Sequence, residues 1–167
     1  MTTTLPTIRP GIPSDSESVA TLIHRSHTIS FAPFASTEWV SSRQLGDYKT
    51  KWVAVLTEES EDAITLVAVV AEAIVGTVHV SRIDSPEFDA QLNGMHVDPA
   101  QTGSGIGSLL MKKAVEFIKQ RGFERVELGV IAANSGGRRF YKTHGWALLR
   151  ELPDGVEGVP VAIYKLA

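Results

Sequence analysis

Residues 95–108 read MHVDPAQTGSGIGS. An extended apolar run ends at Val97, turns at Asp98-Pro99, passes through Gly103, Gly105 and Gly107, and enters an amphipathic helix. A loop of this composition leaves backbone amides uncovered. The helix start beyond it adds unsatisfied N–H donors and the positive end of the helix dipole. Such a strand–loop–helix junction suits a bound anion, a phosphate above all. Glycine matters because a Cβ would hold the backbone away from the anion and forbid some dihedrals that turn successive amides inward. Taken alone, the loop is weak evidence, since a tight turn with no ligand is the alternative reading.

Downstream, Leu110, Ala114, Phe117 and Ile118 recur at helical spacing, predicting a helix from Gly107 to Arg121 with Gly122 as its C-terminal cap. Arg125 to Ala132 reads as a strand. Asn134-Ser135 then caps a short helix to about Thr143, stopped by Gly145. Trp146 to Arg150 and Val159 to Leu166 read as final strands.

Upstream, Thr65 to Ala71 and Val75 to Val80 form an expected hairpin with Glu72-Ala73-Ile74 as spacer, and Ala90 to Val97 is a further strand. Thr7-Ile8-Arg9 is a short strand. Asp15 or Ser14 caps a helix carrying Val19, Ala20, Leu22 and Ile23. His27 to Phe34 is irregular, and a second helix is expected over 37 to 55, broken or bent near Gly46. This order predicts an α/β fold: one mixed, mostly antiparallel sheet of about seven strands, flanked by about four helices, in a single domain over residues 1–167.

Sixteen basic and 19 acidic residues leave a net charge of −3, which argues against broad attraction to nucleic acid or an anionic membrane. Cysteine is absent, excluding disulfides, thiolate metal sites and a cysteine nucleophile. The N-terminal MTTTLPTIRP has no basic-then-apolar leader pattern, and no apolar run approaches the roughly 20 residues of a membrane span. A soluble, cytoplasmic protein is the expectation.

Rival readings of the loop fail on its letters. A dinucleotide fingerprint needs glycine where Ser108 stands, a Walker loop needs Gly-Lys-Ser/Thr, and a hydrolase elbow needs glycines where Thr102 and Ile106 flank Ser104.

The combination of Val97-Asp98-Pro99, Gly105-Ile106-Gly107, Asn134, Tyr141 and Gly145-Trp146 resembles the GNAT superfamily of N-acetyltransferases. Ile8-Arg9-Pro10 and Ile74-Val75-Gly76 fit the same resemblance. It covers most of the chain and is strongest from about residue 92 to 146. Two positions depart from the pattern. The loop arginine or glutamine falls on Thr102, with Gln101 one residue early, and Gly137 is followed by Arg138-Arg139.

The resemblance implies acetyl-CoA as co-substrate, direct transfer to a primary amine of a small molecule or peptide within a ternary complex, a splayed pair of central strands, and no metal. The protein would act as a monomer or homodimer. A non-catalytic acyl-CoA-binding or sensing module is the alternative.

Carried over residue by residue, the resemblance gives Thr102, Gly103, Ser104, Gly105, Ile106, Gly107 and Ser108 to the pyrophosphate. Met95, His96 and Val97 would bind the pantetheine arm and the developing oxyanion through their backbone. Asn134 would hold the pantetheine or act only as a helix cap. Tyr141 would protonate the departing thiolate or be a buried aromatic.

The general base is open among Asp89, Glu72, His79 and His96, since Gln91 cannot serve; His96 and Asp89 are the named candidates, with ordered water as the alternative. Period-two alternation groups Met95, Asn93 and Gln91 on one strand face and His96, Gly94 and Leu92 on the other. Arg138 and Arg139 either reach the adenosine phosphates or decorate a solvent face. His24 and His27 are better read as surface or packing groups than as metal ligands. Trp39, Trp52, Tyr48, Phe31 and Phe34 line an acceptor pocket or fill the core.

Overall fold

The computed structural model describes residues 4–101 and 103–167, excepting the side chain of Val156. In chain order it runs β1 (Thr7–Pro10), α1 (Ser16–Arg25), α2 (Thr37–Ser41), α3 (Leu45–Thr57), β2 (Ala63–Val70), β3 (Ala73–Arg82) and β4 (Ala90–Val97). There follow α4 (Ile106–Gln120), β5 (Val126–Ile131), α5 (Ser135–Thr143), β6 (Trp146–Val156) and β7 (Val159–Leu166). The seven strands form one sheet in the order β1-β2-β3-β4-β5-β7-β6, antiparallel throughout except for β4 and β5. The expected architecture is present, with five α-helices where about four were expected.

Helices cover both faces because the strands are apolar on both. On one face Leu110, Met111, Ala114 and Ile118 of α4 and Tyr141 of α5 pack against Val78, Val80, Leu92 and Leu128. On the other, Val19, Ala20 and Ile23 of α1 enclose Trp52 of α3 and Val67. Each fully buried aliphatic side chain contributes about 1.5–3 kcal/mol, so these two clusters fix where the helices sit. Among the described residues no helix is long and apolar enough to cross a membrane.

Four local expectations change. The hairpin spacer is the pair Ala71-Glu72, both at positive φ (49° and 67°), because the backbone twist of a two-residue turn matches that of the flanking strands. The helix expected over 37 to 55 divides at Ser42–Gln44, and Gly46 lies inside α3. The stretch expected to be irregular from His27 begins instead with a π-helical turn, Ser26–Ser30, that continues α1 and is closed by Phe31 N–H to the Ser26 carbonyl at 2.9 Å.

The fourth concerns β4. Thr77 pairs with His96 and His79 with Asn93, so Val78 faces two residues, Gly94 and Met95. Gly94 takes φ +61° and forms a bulge. The expected alternation therefore fails: Leu92, Met95 and Val97 pack with the α4 cluster, while His96 meets Ser26 of the π turn. A Cβ on Gly94 would lie 3.2 Å from Trp52, so the bulge is shaped for glycine.

Candidate active site

The parallel pair β4–β5 is short. Ala90 pairs with Val126 and Gln91 with Glu127, after which the strands diverge. From Leu92 to Val97 the β5-facing edge of β4 therefore has no strand partner among the described residues, and its outward backbone groups are left for a ligand. The divergence opens a cleft of about 980 Å³.

One end of the cleft is the loop before α4. Gly103 and Gly105 take φ +81° and +83°, and a Cβ at either would meet nothing within 4 Å. These positions need glycine for their backbone conformation, and open space lies beyond them. Gly103, Gly105, Ile106, Gly107 and Ser108 all line the cleft at the N-terminus of the 15-residue α4. Ser104 instead donates its hydroxyl to the Gln101 carbonyl and is not a lining residue. Thr102 lies outside the described residues. At Gly107 a Cβ would stand 3.2 Å from the Phe140 ring, so α4 and α5 approach closely here.

The middle of the cleft is lined by Met95, His96 and Val97, by Leu128 to Ile131 of β5, and by Asn134 and Tyr141. Asn134 caps α5, its Oδ1 accepting from Gly137 N–H at 3.0 Å. Tyr141 is 9% exposed, and burial pushes its hydroxyl up to about 12. That hydroxyl makes no hydrogen bond to another described residue, and it keeps its proton throughout the physiological range.

His96 is 7% exposed, with Nδ1 2.8 Å from Ser26 Oγ. Burial first, then His27 and Lys51, lower it to about 3, so the ring is neutral. His27 Nδ1 lies 2.6 Å from the Tyr48 hydroxyl, and burial followed by Arg43, Lys51 and His24 lowers it to about 4. Phe31, Trp39 and Arg43 complete this end.

A scan against family models matches residues 30–146 to the acetyltransferase (GNAT) family. The chain belongs to this family. Among solved structures, the GNAT chain is 22% identical to the PaiA N-acetyltransferase of Thermoplasma acidophilum, solved with coenzyme A. That match covers 95% of this chain and 98% of the other, with a TM-score of 0.78. The YncA protein of Salmonella typhimurium, solved with acetyl-CoA, is 14% identical over 97% of this chain and 93% of the other, with a TM-score of 0.75. At these identities the likeness carries the fold. An uncharacterised N-acetyltransferase of Methanocaldococcus jannaschii is 42% identical over 67 residues, 40% of this chain. The match spans 29% of that relative's length.

Of the expected site residues in the GNAT chain, the structure brings together Met95, His96, Val97, Gly103, Gly105, Ile106, Gly107, Ser108, Asn134 and Tyr141. It does not bring Asp89. That carboxylate accepts from Glu124 N–H (3.0 Å) and Arg125 N–H (2.9 Å) and pairs with the Arg125 guanidinium (2.9 Å), away from the cleft. These donors hold Asp89 below the usual carboxylate range, leaving a poor base.

His79 bonds Thr65 Oγ1 at 2.7 Å with its ring 5.9 Å from that of Trp52, and Glu72 lies in the exposed hairpin turn. Arg138 is engaged within the protein, bonding the Tyr164 hydroxyl, the Ala132 carbonyl and Glu151. Arg139 is exposed. Among the described residues no group of three or more His, Cys, Asp or Glu is placed to hold a metal.

Ser26, His27, Ser30 and Arg43 were not anticipated as cleft residues. They come from the least periodic part of the chain, where no spacing rule applies. Of the aromatic set, Phe31 and Trp39 line the cleft, Trp52 is core, and Tyr48 holds His27.

Proposed function

We propose that residues 1–167 form one N-acetyltransferase unit that moves an acetyl group from acetyl-CoA to a primary amine by direct attack within a ternary complex. The observation that carries this reading is the end of β4–β5 pairing after Gln91 and Glu127, opening directly onto the glycine loop of α4. The relatives solved with coenzyme A and with acetyl-CoA support it.

In this reading Gly103, Gly105, Ile106, Gly107 and Ser108 offer backbone amides to the pyrophosphate, and the open space at the first two glycines fits such a group. The free edge of β4 at Met95, His96 and Val97 binds the amide-rich arm and polarises the reacting carbonyl. Asn134 holds the far wall by fixing the start of α5. Acetyl-CoA supplies an activated acyl carbon and a thiolate leaving group. Tyr141, uncharged and with its hydroxyl bonded to none of the described residues, donates the proton the sulfur needs. His96 and His27 are neutral and supply the ring nitrogens on the amine side.

A second reading, an acyl-CoA sensor without turnover, draws on one observation: among the described residues lining the cleft there is no aspartate or glutamate.

A melting experiment tests the first step. Acetyl-CoA at saturation raises Tm while NAD and ATP leave it unchanged, since a ligand bound only by the folded state stabilises it. No shift with acetyl-CoA removes the proposal. Thiol release with an amine panel then separates transferase from sensor.

A further inference from the structure

The two ends of the cleft differ in chemistry. The glycine loop presents amides, whereas the opposite end, from the π turn and the α2–α3 segment, presents rings. His27 stands at its centre, with ring centroids of Phe31 at 5.2 Å, Trp39 at 5.3 Å and His96 at 5.0 Å. Phe31 is also 5.5 Å from His96. The Tyr48 hydroxyl bonds His27 and fixes this ring. The walls are thus rigid π faces, suited to a planar aromatic group at modest entropic cost.

Charge at this end points the same way. The formal charge lining it belongs to Arg43, and no carboxylate lines the cleft among the described residues. The Arg43 guanidinium lies 4.7 Å from the Trp39 ring centroid and pairs with Glu157 of the β6–β7 turn. Glu157 is already engaged by Arg43, so an incoming ammonium finds no lining carboxylate to pair with among the described residues, and the Trp39 face that would otherwise attract it is already taken. Burial, then Arg43 and Lys51, keep His27 unprotonated; the same surroundings oppose any second cation.

An alkylammonium with a pKa of about 10 must shed a proton before it attacks. An arylamine is already neutral at pH 7, because its lone pair is delocalised into the ring. It needs no carboxylate base.

We infer that the ring-lined end of the cleft accepts a neutral aromatic amine, and that the absence of a carboxylate there is matched to that acceptor. The inference rests on the transferase reading for its chemistry. The arylamine nitrogen gives its lone pair to the acetyl carbonyl carbon, forming the C–N bond. The C–S bond breaks with its electron pair left on sulfur. The nitrogen releases one N–H proton to water, Tyr141 delivers a proton to sulfur and is reprotonated from water, and the products are an N-aryl acetamide and a free thiol.

The test has two arms. With saturating acetyl-CoA at pH 7, thiol release is compared for 4-methylaniline, phenethylamine, spermidine and phenylalanine; 4-methylaniline is expected to lead in kcat/KM by about tenfold or more. Any of the other three matching or exceeding it overturns the inference while leaving the transferase reading intact.

Separately, calorimetry measures binding of 4-methylaniline without acetyl-CoA. Saturable binding weakened about tenfold by Trp39→Leu supports the acceptor site even if no thiol is released, in which case the transferase reading alone fails. Absence of both binding and turnover overturns the inference. Finally, Ser30→Asp places a carboxylate at the lining and is expected to raise the phenethylamine to 4-methylaniline ratio about tenfold. An unchanged ratio shows that missing counter-charge does not set the preference.

Discussion

His96 and Ser26 stand 70 residues apart in the chain and are joined by a 2.8 Å hydrogen bond between His96 Nδ1 and Ser26 Oγ, both side chains buried. The bond ties the bulged strand β4 to the π turn that extends α1. It links the two walls of the cleft, and each partner depends on a local irregularity for its placement.

Ser26→Ala leaves the buried Nδ1 of His96 without its partner. Stability is expected to fall by about 1–3 kcal/mol, read as a lower urea midpoint with an unchanged slope. An unchanged midpoint would show that the bond contributes nothing net.

Gly94→Ala attacks the same connection from the strand side. The new Cβ would lie 3.2 Å from Trp52 at a residue of φ +61°, and both effects oppose the bulge. A loss of about 1–3 kcal/mol is expected from backbone strain and overpacking. If β4 slips to regular alternation, His96 leaves Ser26 and activity falls more than stability.

Tyr141→Phe removes a hydroxyl that no described residue holds. Folding stability and CoA affinity should stay close to wild type, while turnover drops about 10²-fold or more. Because burial pushes Tyr141 up to about 12, the wild-type rate should show no loss of this acid below pH 10. Weakened CoA affinity with an unchanged kcat would assign Tyr141 to binding alone.

Acid should unfold the protein earlier than its surface charge suggests. His96 titrates at about 3 and His27 and His79 at about 4, all lowered chiefly by burial from an ordinary 6.5. Between these values the unfolded chain binds protons that the folded chain does not, so stability falls as pH drops below about 6.5 and is level above it. Each histidine contributes at most about 1.4 kcal/mol per pH unit in that window. A Tm that is flat from pH 7 to 5 would contradict the burial of these rings.

Replacing Ala71-Glu72 by Asn-Gly should stabilise the hairpin. Both residues hold positive φ, which side chains other than Asn and Gly resist. A gain of about 1 kcal/mol raises Tm by about 2–4 °C for a chain of this size. A decrease would mean that Ala71 or Glu72 makes a contact worth more than the strain.

The loop at Gly103 to Ser108 and the cap at Asn134 were legible in the sequence because glycine spacing and a side-chain oxygen at a helix start act over a few residues. Tyr141 was singled out by the family resemblance, not by a local rule. Asp89 was misplaced because spacing does not report that Arg125 would claim its carboxylate. The faces of β4 were misassigned because alternation assumes regular pairing, and a single glycine at φ +61° breaks it.

By itself, the sequence determined the order of strands and helices, the mixed sheet and the anion-ready loop, since apolar periodicity and turn chemistry are local. The tertiary structure alone decided how far β4 and β5 stay paired and which groups converge on the gap. His27, Phe31, Trp39, Arg43 and His96 meet there because two separately packed cores hold α1, α3 and β4 in register. Contacts across such distances depend on the packing of the whole sheet, which no window of sequence contains.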